Sequence, residues 1–309
     1  MKRKKKRAIV LLGLFLIATM IVGCSIPGVN LEKKDESLQK TDKSDSDNGD
    51  SVTIKRQVLC DQDGVVITAL EYVEPESEYS DEDAIMLSIE NKTDKIIRVD
   101  TETLVVNNYM CERNHICEVA SGETVNERLI ITGSFVEHQH CEMVGQVDVV
   151  FKVSDAESYD DVFTTDLITI QTSEYKDMDN NSVVDGVEIY NENGVRIVEM
   201  YAEETYDGGT NVFLYIENNS KKGIGVEQQE VKVNGKGIEV LLGATVFSGK
   251  KDIQAIEFSG EDLQILGIEK VENIELQFVI RKMKNGEVSK VIGLSDMIQF
   301  DVGEIREKE

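Results

Sequence analysis

Thiolates and imidazoles at short spacing are the side chains that bind zinc and copper, and here they crowd into one stretch of the chain. Cys60, Cys111, Cys117 and Cys141 lie there, together with His115, His138 and His140, which are all the histidines present. Cys111, His115 and Cys117 share one parity, so on a continuous strand they would project from one face, as would His138 and His140. Three chemistries fit a set built from Cys111, His115, Cys117, His138, His140 and Cys141. The thiols are buried and unlinked, or at least one disulfide forms, or a metal is bound. Four cysteines allow three pairings, and spacing selects none.

A second candidate runs from Asp177 to Glu188. Asp177, Asp179, Asn181 and Asp185 place oxygens at positions 1, 3, 5 and 9, and Glu188 falls at position 12, the spacing by which an EF-hand loop wraps calcium. The segment resembles the calcium-binding repeats that link bacterial surface domains. Ser182 departs from the pattern, which has glycine at the sharp turn, and Val187 to Tyr190 is also needed as a strand. Calcium is therefore weighed against a plain acidic linker containing a turn.

No catalytic residue can be named. Nucleophile-elbow, P-loop, dinucleotide and zinc-protease signatures are missing, so the chain is read as not an enzyme. Paired carboxylates for glycoside hydrolysis remain a third-ranked possibility, because acids are plentiful. Against it, sugar-cleaving sites usually present aromatic platforms, and the chain has no Trp.

The elements that would carry these residues occur twice. Ile89-Glu90-Asn91 recurs as Ile216-Glu217-Asn218, at 216 − 89 = 127, and Val106-Asn107 recurs as Val233-Asn234 at the same spacing. From 89 to 153 the ungapped register gives 16 identities in 65 positions; unrelated sequence would give roughly four. Asp63-Gly64-Val65 answers Asn193-Gly194-Val195, and Asp166-Leu167-Ile168 answers Asp296-Met297-Ile298, both shifted by 130. The duplication provides a control for the first candidate site. At the 127 offset, Cys111, His115, Cys117, His138 and Cys141 correspond to Ile238, Leu242, Ala244, Ile265 and Ile268, all apolar. That favours core or loop positions where cysteine serves as a small hydrophobe.

Within each copy the apolar pattern has period two, as in Val147, Val149, Phe151 and Val153 and again in Ile274, Leu276, Phe278 and Ile280. Asp-Gly and Asn-Gly turn signals separate such stretches, and no helical stripe of useful length appears beyond the apolar amino-terminal segment. The expected fold is all-β: two tandem immunoglobulin-like β-sandwich domains of about seven strands each. The α/β lobes of transporter-type receptors are not supported.

The amino-terminal segment reads as an address. Met1 to Arg7 is basic, Ala8 to Val22 is apolar, and Ile21-Val22-Gly23-Cys24 ends the run. This order resembles a bacterial lipoprotein signal peptide with its lipobox. The resemblance implies cleavage between Gly23 and Cys24, acylation of Cys24, and a membrane anchor on the extracytoplasmic face. The 16 residues from Ala8 to Gly23 are short for a spanning helix. Once residues 1–23 are removed, 27 basic side chains face 59 acidic ones, a net charge of −32. Such a surface repels phosphate backbones, so nucleic acid is excluded as a partner.

The whole chain resembles the uncharacterised surface lipoproteins of Gram-positive bacteria, clostridia especially, built as lipobox, acidic linker and one or two immunoglobulin-like domains. The matching features are Ile21-Val22-Gly23-Cys24, the openings Asp63-Gly64-Val65 and Asn193-Gly194-Val195, and the turns at Asn91 and Asn218. The expected layout is signal peptide 1–23, lipidated Cys24 and disordered acidic linker 24–51, sandwich 52–172, linker 173–183, sandwich 184–303 and tail 304–309. The expected role is a binding or scaffolding module whose partner is an unknown surface protein or wall component. A calcium- or transition-metal-responsive module is the alternative.

Overall fold

The computed structural model describes residues 51–74, 82–131, 143–178, 184–284, 287–303 and 305–306. The period-two segments are strands. In the first copy these are β1 (Gln57–Gln62), β2 (Val65–Val73), β3 (Asp83–Asn91), β4 (Ile97–Val106), β5 (Tyr109–Cys111), β6 (His115–Val119), β7 (Thr124–Ile131), β8 (Gln146–Asp155), β9 (Asp161–Thr164) and β10 (Ile168–Gln171). The second copy repeats them as β11 (Val187–Glu192), β12 (Val195–Glu204), β13 (Thr210–Asn218), β14 (Ile224–Val233), β15 (Lys236–Gly237), β16 (Gly243–Val246), β17 (Lys251–Phe258), β18 (Asn273–Lys284), β19 (Glu287–Leu294) and β20 (Ile298–Asp301), followed by β21 (Ile305–Arg306). β3, β4, β5, β7 and β8 each begin 127 residues before their counterparts, and β1, β2 and β10 begin 130 before theirs. Both sequence offsets are thus offsets between strands.

One sheet of the first copy runs β1-β2-β3-β7, and the other contains β10-β8-β4 with β6 and β9 alongside. The second copy repeats the order as β11-β12-β13-β17 and β15-β14-β18-β19, with β16 and β20 alongside. β3 and β7 are neighbours although β4, β5 and β6 between them lie in another sheet, which is a Greek-key crossing of the kind found in immunoglobulin-like sandwiches. Among the described residues each copy has ten strands, not about seven. The surplus is the leading hairpin strand, β1 or β11, and outer strands broken into short pieces.

The alternation fills two hydrophobic cores. Val147, Val149, Phe151 and Val153 are fully buried in the first, with Ile67, Leu87 and Leu129. Ile274, Leu276, Phe278 and Ile280 lie in the second, with Ile197, Leu214 and Ile256. Fully burying such a side chain contributes about 1.5–3 kcal/mol. Asp63-Gly64 and Asn193-Gly194 close the β1–β2 and β11–β12 hairpins with positive φ at both residues, 49° and 83° in one and 55° and 79° in the other. These are the left-handed angles that a tight two-residue hairpin demands.

A helix departs from the sequence reading. α1 (Gly260–Leu266) is seven residues long, with Ser259 accepting a hydrogen bond from the Asp262 amide and Gly267 ending it at φ 62°. The Ser-x-x-Asp cap and the glycine stop are both visible in the sequence, but about two turns are too short to show an apolar stripe. No helix among the described residues is long and apolar enough to cross a membrane.

Candidate functional site

The structure disperses the described members of the Cys/His set. Cys117 faces the first core from β6 and pairs across to Val99 on β4, whereas Cys111 at the end of β5 pairs to Leu104. Five residues along one strand separate those partners by roughly 15 Å, beyond a disulfide or a shared metal. The common-face expectation requires a continuous strand, and the strand breaks at Glu112 to Asn114. Asn114 turns aside, its amide donating to Thr101 Oγ1 at 2.6 Å and its carbonyl accepting from the Thr101 amide at 2.8 Å. A bulge opposite Val99 and Asp100 then leaves His115 exposed.

His115 Nδ1 lies 2.7 Å from Asp100 Oδ1, and Arg98 Nε donates to Asp100 Oδ2 at 2.8 Å. Partial burial opposes ionisation of Asp100, but Arg98 and His115 outweigh it and hold the carboxyl below its ordinary range. Burial, reinforced by Glu127 and Asp100, pushes the Cys117 thiol up to about 11. Cys60 is likewise buried and pushed up, first by burial and then by Asp61. Protonated thiols of this kind are inert. His138, His140 and Cys141 lie outside the described residues, as do Gly23 and Cys24. Among the described residues no group of three or more His, Cys, Asp or Glu is placed to hold a metal ion.

Of the calcium-type spacing, Asp179 and Asn181 lie outside the described residues. Asp177 is exposed in the turn after β10, and Asp185 is exposed just before β11. Glu188 sits on β11, and its carboxylate is already engaged. Arg196 Nε donates to Oε2 at 2.8 Å and Asn191 Nδ2 to Oε1 at 3.1 Å. Those two partners, Arg196 first, hold the Glu188 carboxyl below its ordinary range.

Another polar arrangement lies where the two copies meet. Asn107 and Asn108 close the β4–β5 hairpin with φ of 47° and 72°, and β5 then pairs in parallel with β17 at Tyr109 and Lys251. This welds one sheet of each copy into a single eleven-stranded sheet among the described residues, with the path β10-β8-β4-β5-β17-β13-β12-β11 and β6, β9 and β21 alongside it. β5 serves both cores: Tyr109 and Cys111 pack on the first, and Met110 packs on the second. The Lys251 amide donates to the Asn108 carbonyl at 2.9 Å, its Nζ sits 5.2 Å from the Tyr109 ring centre, and Tyr109 meets Tyr215 edge-on at 6.3 Å.

Lys250 Nζ donates to Asp148 Oδ2 at 2.7 Å and to Asn108 Oδ1 at 2.9 Å. Asp148 is only 2% exposed and also accepts from Thr169 Oγ1 at 2.6 Å and from Gln146 Nε2 at 3.0 Å. Removing one partner of a buried pair typically costs about 3–5 kcal/mol, since the other is left uncompensated. Next along β17, Asp252 is 5% exposed and accepts from Gln254 Nε2 at 3.2 Å. Burial pushes its carboxyl up to about 7.

Sequence reasoning missed Lys250, Asp148, Asn108 and Asp252, although the duplication carried a signal. Lys232 and Glu275 stand directly opposite on β14 and β18 and form an ion pair at 3.0 Å. Their counterparts at the 127 offset, Val105 and Asp148, are also directly opposite. The first copy therefore has the acid without the base on its own strand, and the second copy supplies one as Lys250.

No protein family matches the sequence, and no curated protein matches it either. Among solved structures, the exo-chitosanase CsxA of Amycolatopsis orientalis aligns at 11% identity and TM-score 0.22, over 64% of this chain and 24% of that one. A protein of unknown function from Porphyromonas gingivalis W83 aligns at 10% and 0.20, over 80% of this chain and all of that one. A β-D-mannosidase from Dictyoglomus thermophilum aligns at 10% and 0.21, over 82% of this chain and 35% of that one. The chain thus spans about a quarter of the chitosanase. Likenesses this distant carry no argument about what the chain does.

Proposed function

We propose that this is a lipid-anchored extracytoplasmic protein whose two immunoglobulin-like sandwiches, residues 52–172 and 184–303, act as a binding or scaffolding module toward another surface component. The observation that carries the reading is the order basic run, apolar run, Gly23, Cys24, followed by an acidic segment before the all-β body. Two or three acyl chains hold a protein stably at a membrane, since each buried methylene adds about 0.8 kcal/mol. Behind such an anchor, a 27-residue tether would place the body roughly 30 Å from the lipid. Sandwich folds commonly present loops and sheet faces to partners, and the strong negative charge suits a basic or neutral one.

Mass spectrometry of the mature amino terminus tests the anchor: a diacylated or triacylated Cys24 is expected, and an unmodified terminus at another residue would overturn it. Crosslinking in intact cells with the full lipoprotein as bait tests the module. A surface protein or wall polymer recovered by the wild type, and lost on substitution of exposed residues in one sandwich, supports binding. Recovery of nucleic acid alone would contradict it.

A further inference from the structure

We infer that Lys250 and Asp148 form a lock that sets the angle between the two copies, so that they work as one rigid bar and not as two bodies on a flexible string. The inference concerns the folded body and stands whether or not Cys24 is acylated. Three independent features lead to it.

The contact is triangulated. Lys250 Nζ reaches β8 through Asp148 and the β4–β5 turn through Asn108 Oδ1, while the Asn108 carbonyl takes the Lys251 amide. Rotation of one copy against the other would leave the buried Asp148 carboxylate without its cation and the half-buried Lys250 ammonium without its partners, and that penalty makes the docked angle a discrete state. Asp148 is also held in place before docking, by Thr169 from β10 and Gln146 from its own strand.

Of the lock's residues, Asp148 matches an acid in the other copy, Glu275, whereas its partners Lys250 and Asn108 differ from their counterparts. Asn107 and Val106 are matched by Asn234 and Val233, but Asn108 corresponds to Gly235, Tyr109 to Lys236, Val105 to Lys232 and Lys250 to Glu123. A glycine at 108 would fit the turn's positive φ without offering Oδ1 to Lys250. Glu123 could not pair with an acid. Among the described residues the joint therefore occurs once and does not propagate by repeating its surfaces.

The sheet itself is continuous through β5 and β17, with Met110 committed to the far core, and residues 50–309 cluster as one compact unit. A partner touching both sandwiches would then meet a single preset geometry. Its binding would not bear the entropic cost of ordering a hinge.

The test uses the full mature chain and three variants, read by small-angle X-ray scattering and by amide hydrogen exchange. Lys250→Met should lengthen and broaden the distance distribution and speed exchange in β5 and at the start of β17 by about a hundredfold. Asn108→Gly, which keeps the turn and removes only Oδ1, should move both readouts the same way by less. Lys232→Met breaks the analogous pair inside the second copy and should leave scattering and β5 exchange unchanged. If Lys250→Met fails to fold, Asn108→Gly decides alone. Wild-type scattering together with wild-type protection of β5 in the folded variants would overturn the lock.

Discussion

Asn91 and Asn218, 127 positions apart, share four side-chain hydrogen bonds in the two copies, and Asn91 Nδ2 adds a fifth to the Ala120 carbonyl at 3.2 Å. Asn91 Nδ2 donates to the carbonyls of Lys95 at 2.8 Å and Val119 at 2.9 Å, and Oδ1 accepts from the Thr93 amide and hydroxyl at 3.0 and 2.7 Å. Asn218 repeats this with Lys222 and Val246, both at 2.8 Å, and with the Ser220 amide and hydroxyl at 3.0 and 2.6 Å. Both are fully buried. Each asparagine thus closes an Asx turn after one strand and also ties it to the end of another, so the Asn-x-Thr and Asn-x-Ser patterns are structural.

Replacing either asparagine should therefore unpair several buried groups at once. Asn91→Ala and Asn218→Ala are each expected to lower stability by about 2–4 kcal/mol, and aspartate should be worse at neutral pH, where its carboxylate would face two carbonyls. Urea denaturation of the two variants gives the values. A loss below about half a kcal/mol in either copy would show that the repeated staple is dispensable.

Asp252 makes stability depend on pH in a defined direction. Its carboxyl is pushed from the ordinary 3.8 up to about 7 by burial. Between those values the native state keeps a proton that the unfolded chain has released. The stabilisation is fully present below about pH 4 and is lost as pH rises through 7. Asp252→Asn removes the titration while keeping an oxygen for Gln254. The variant should match the wild type only at about pH 4 and below, pull ahead as the pH rises past that, and exceed it by roughly 2–4 kcal/mol at pH 8. Taking the difference between the two proteins cancels the self-repulsion of the other carboxylates, which both share. Parallel stability curves from pH 5 to 8 would rule the assignment out.

The strands were legible because burial on one face imposes period two, and a duplication offers two readings of each element. Phe151 and Phe278 carried that information in the sequence and are fully buried in the structure. The strand count was not legible, since two- to four-residue pieces such as β15 and β9 leave almost no period to read. The common face drawn for Cys111, His115 and Cys117 failed for a local reason: Thr101 captures the Asn114 backbone and interrupts the strand. The lock was hidden more deeply. Val105 opposite Lys232 looks like ordinary drift until the register shows each of them facing an acid, and nothing local points from Asp148 to a lysine 102 residues away.

Glu188 and Arg196 compete with any calcium in the 177–188 segment. The position-12 carboxylate of such a loop binds the ion through both oxygens, whereas here Oε2 takes Arg196 and Oε1 takes Asn191. Calorimetry of the wild type with millimolar calcium chloride is expected to show no stoichiometric heat. Arg196→Met, which releases the carboxylate, is the variant in which binding should emerge if the remaining oxygens can converge. Wild-type binding that is abolished by Asp177→Ala would establish a site despite the ion pair.

Cys117 occupies the place that Ala244 fills in the second copy, and both point into their cores. A small side chain is therefore what the position requires, and Cys117→Ala should cost no more than about 1–2 kcal/mol, the cavity of one sulfur. Cys117→Ser should cost more, because the hydroxyl would be buried in the first hydrophobic core. With its thiol pushed up to about 11 by burial, Cys117 carries little thiolate at neutral pH. An alkylating reagent at pH 7.5 should therefore modify it only after unfolding, on the timescale set by denaturant. Peptide mapping of the alkylated native protein reads this directly. Rapid modification of Cys117 under native conditions would mean that the β4–β6 edge opens far more readily than its packing allows, and the thiol would then regain standing as a reactive group.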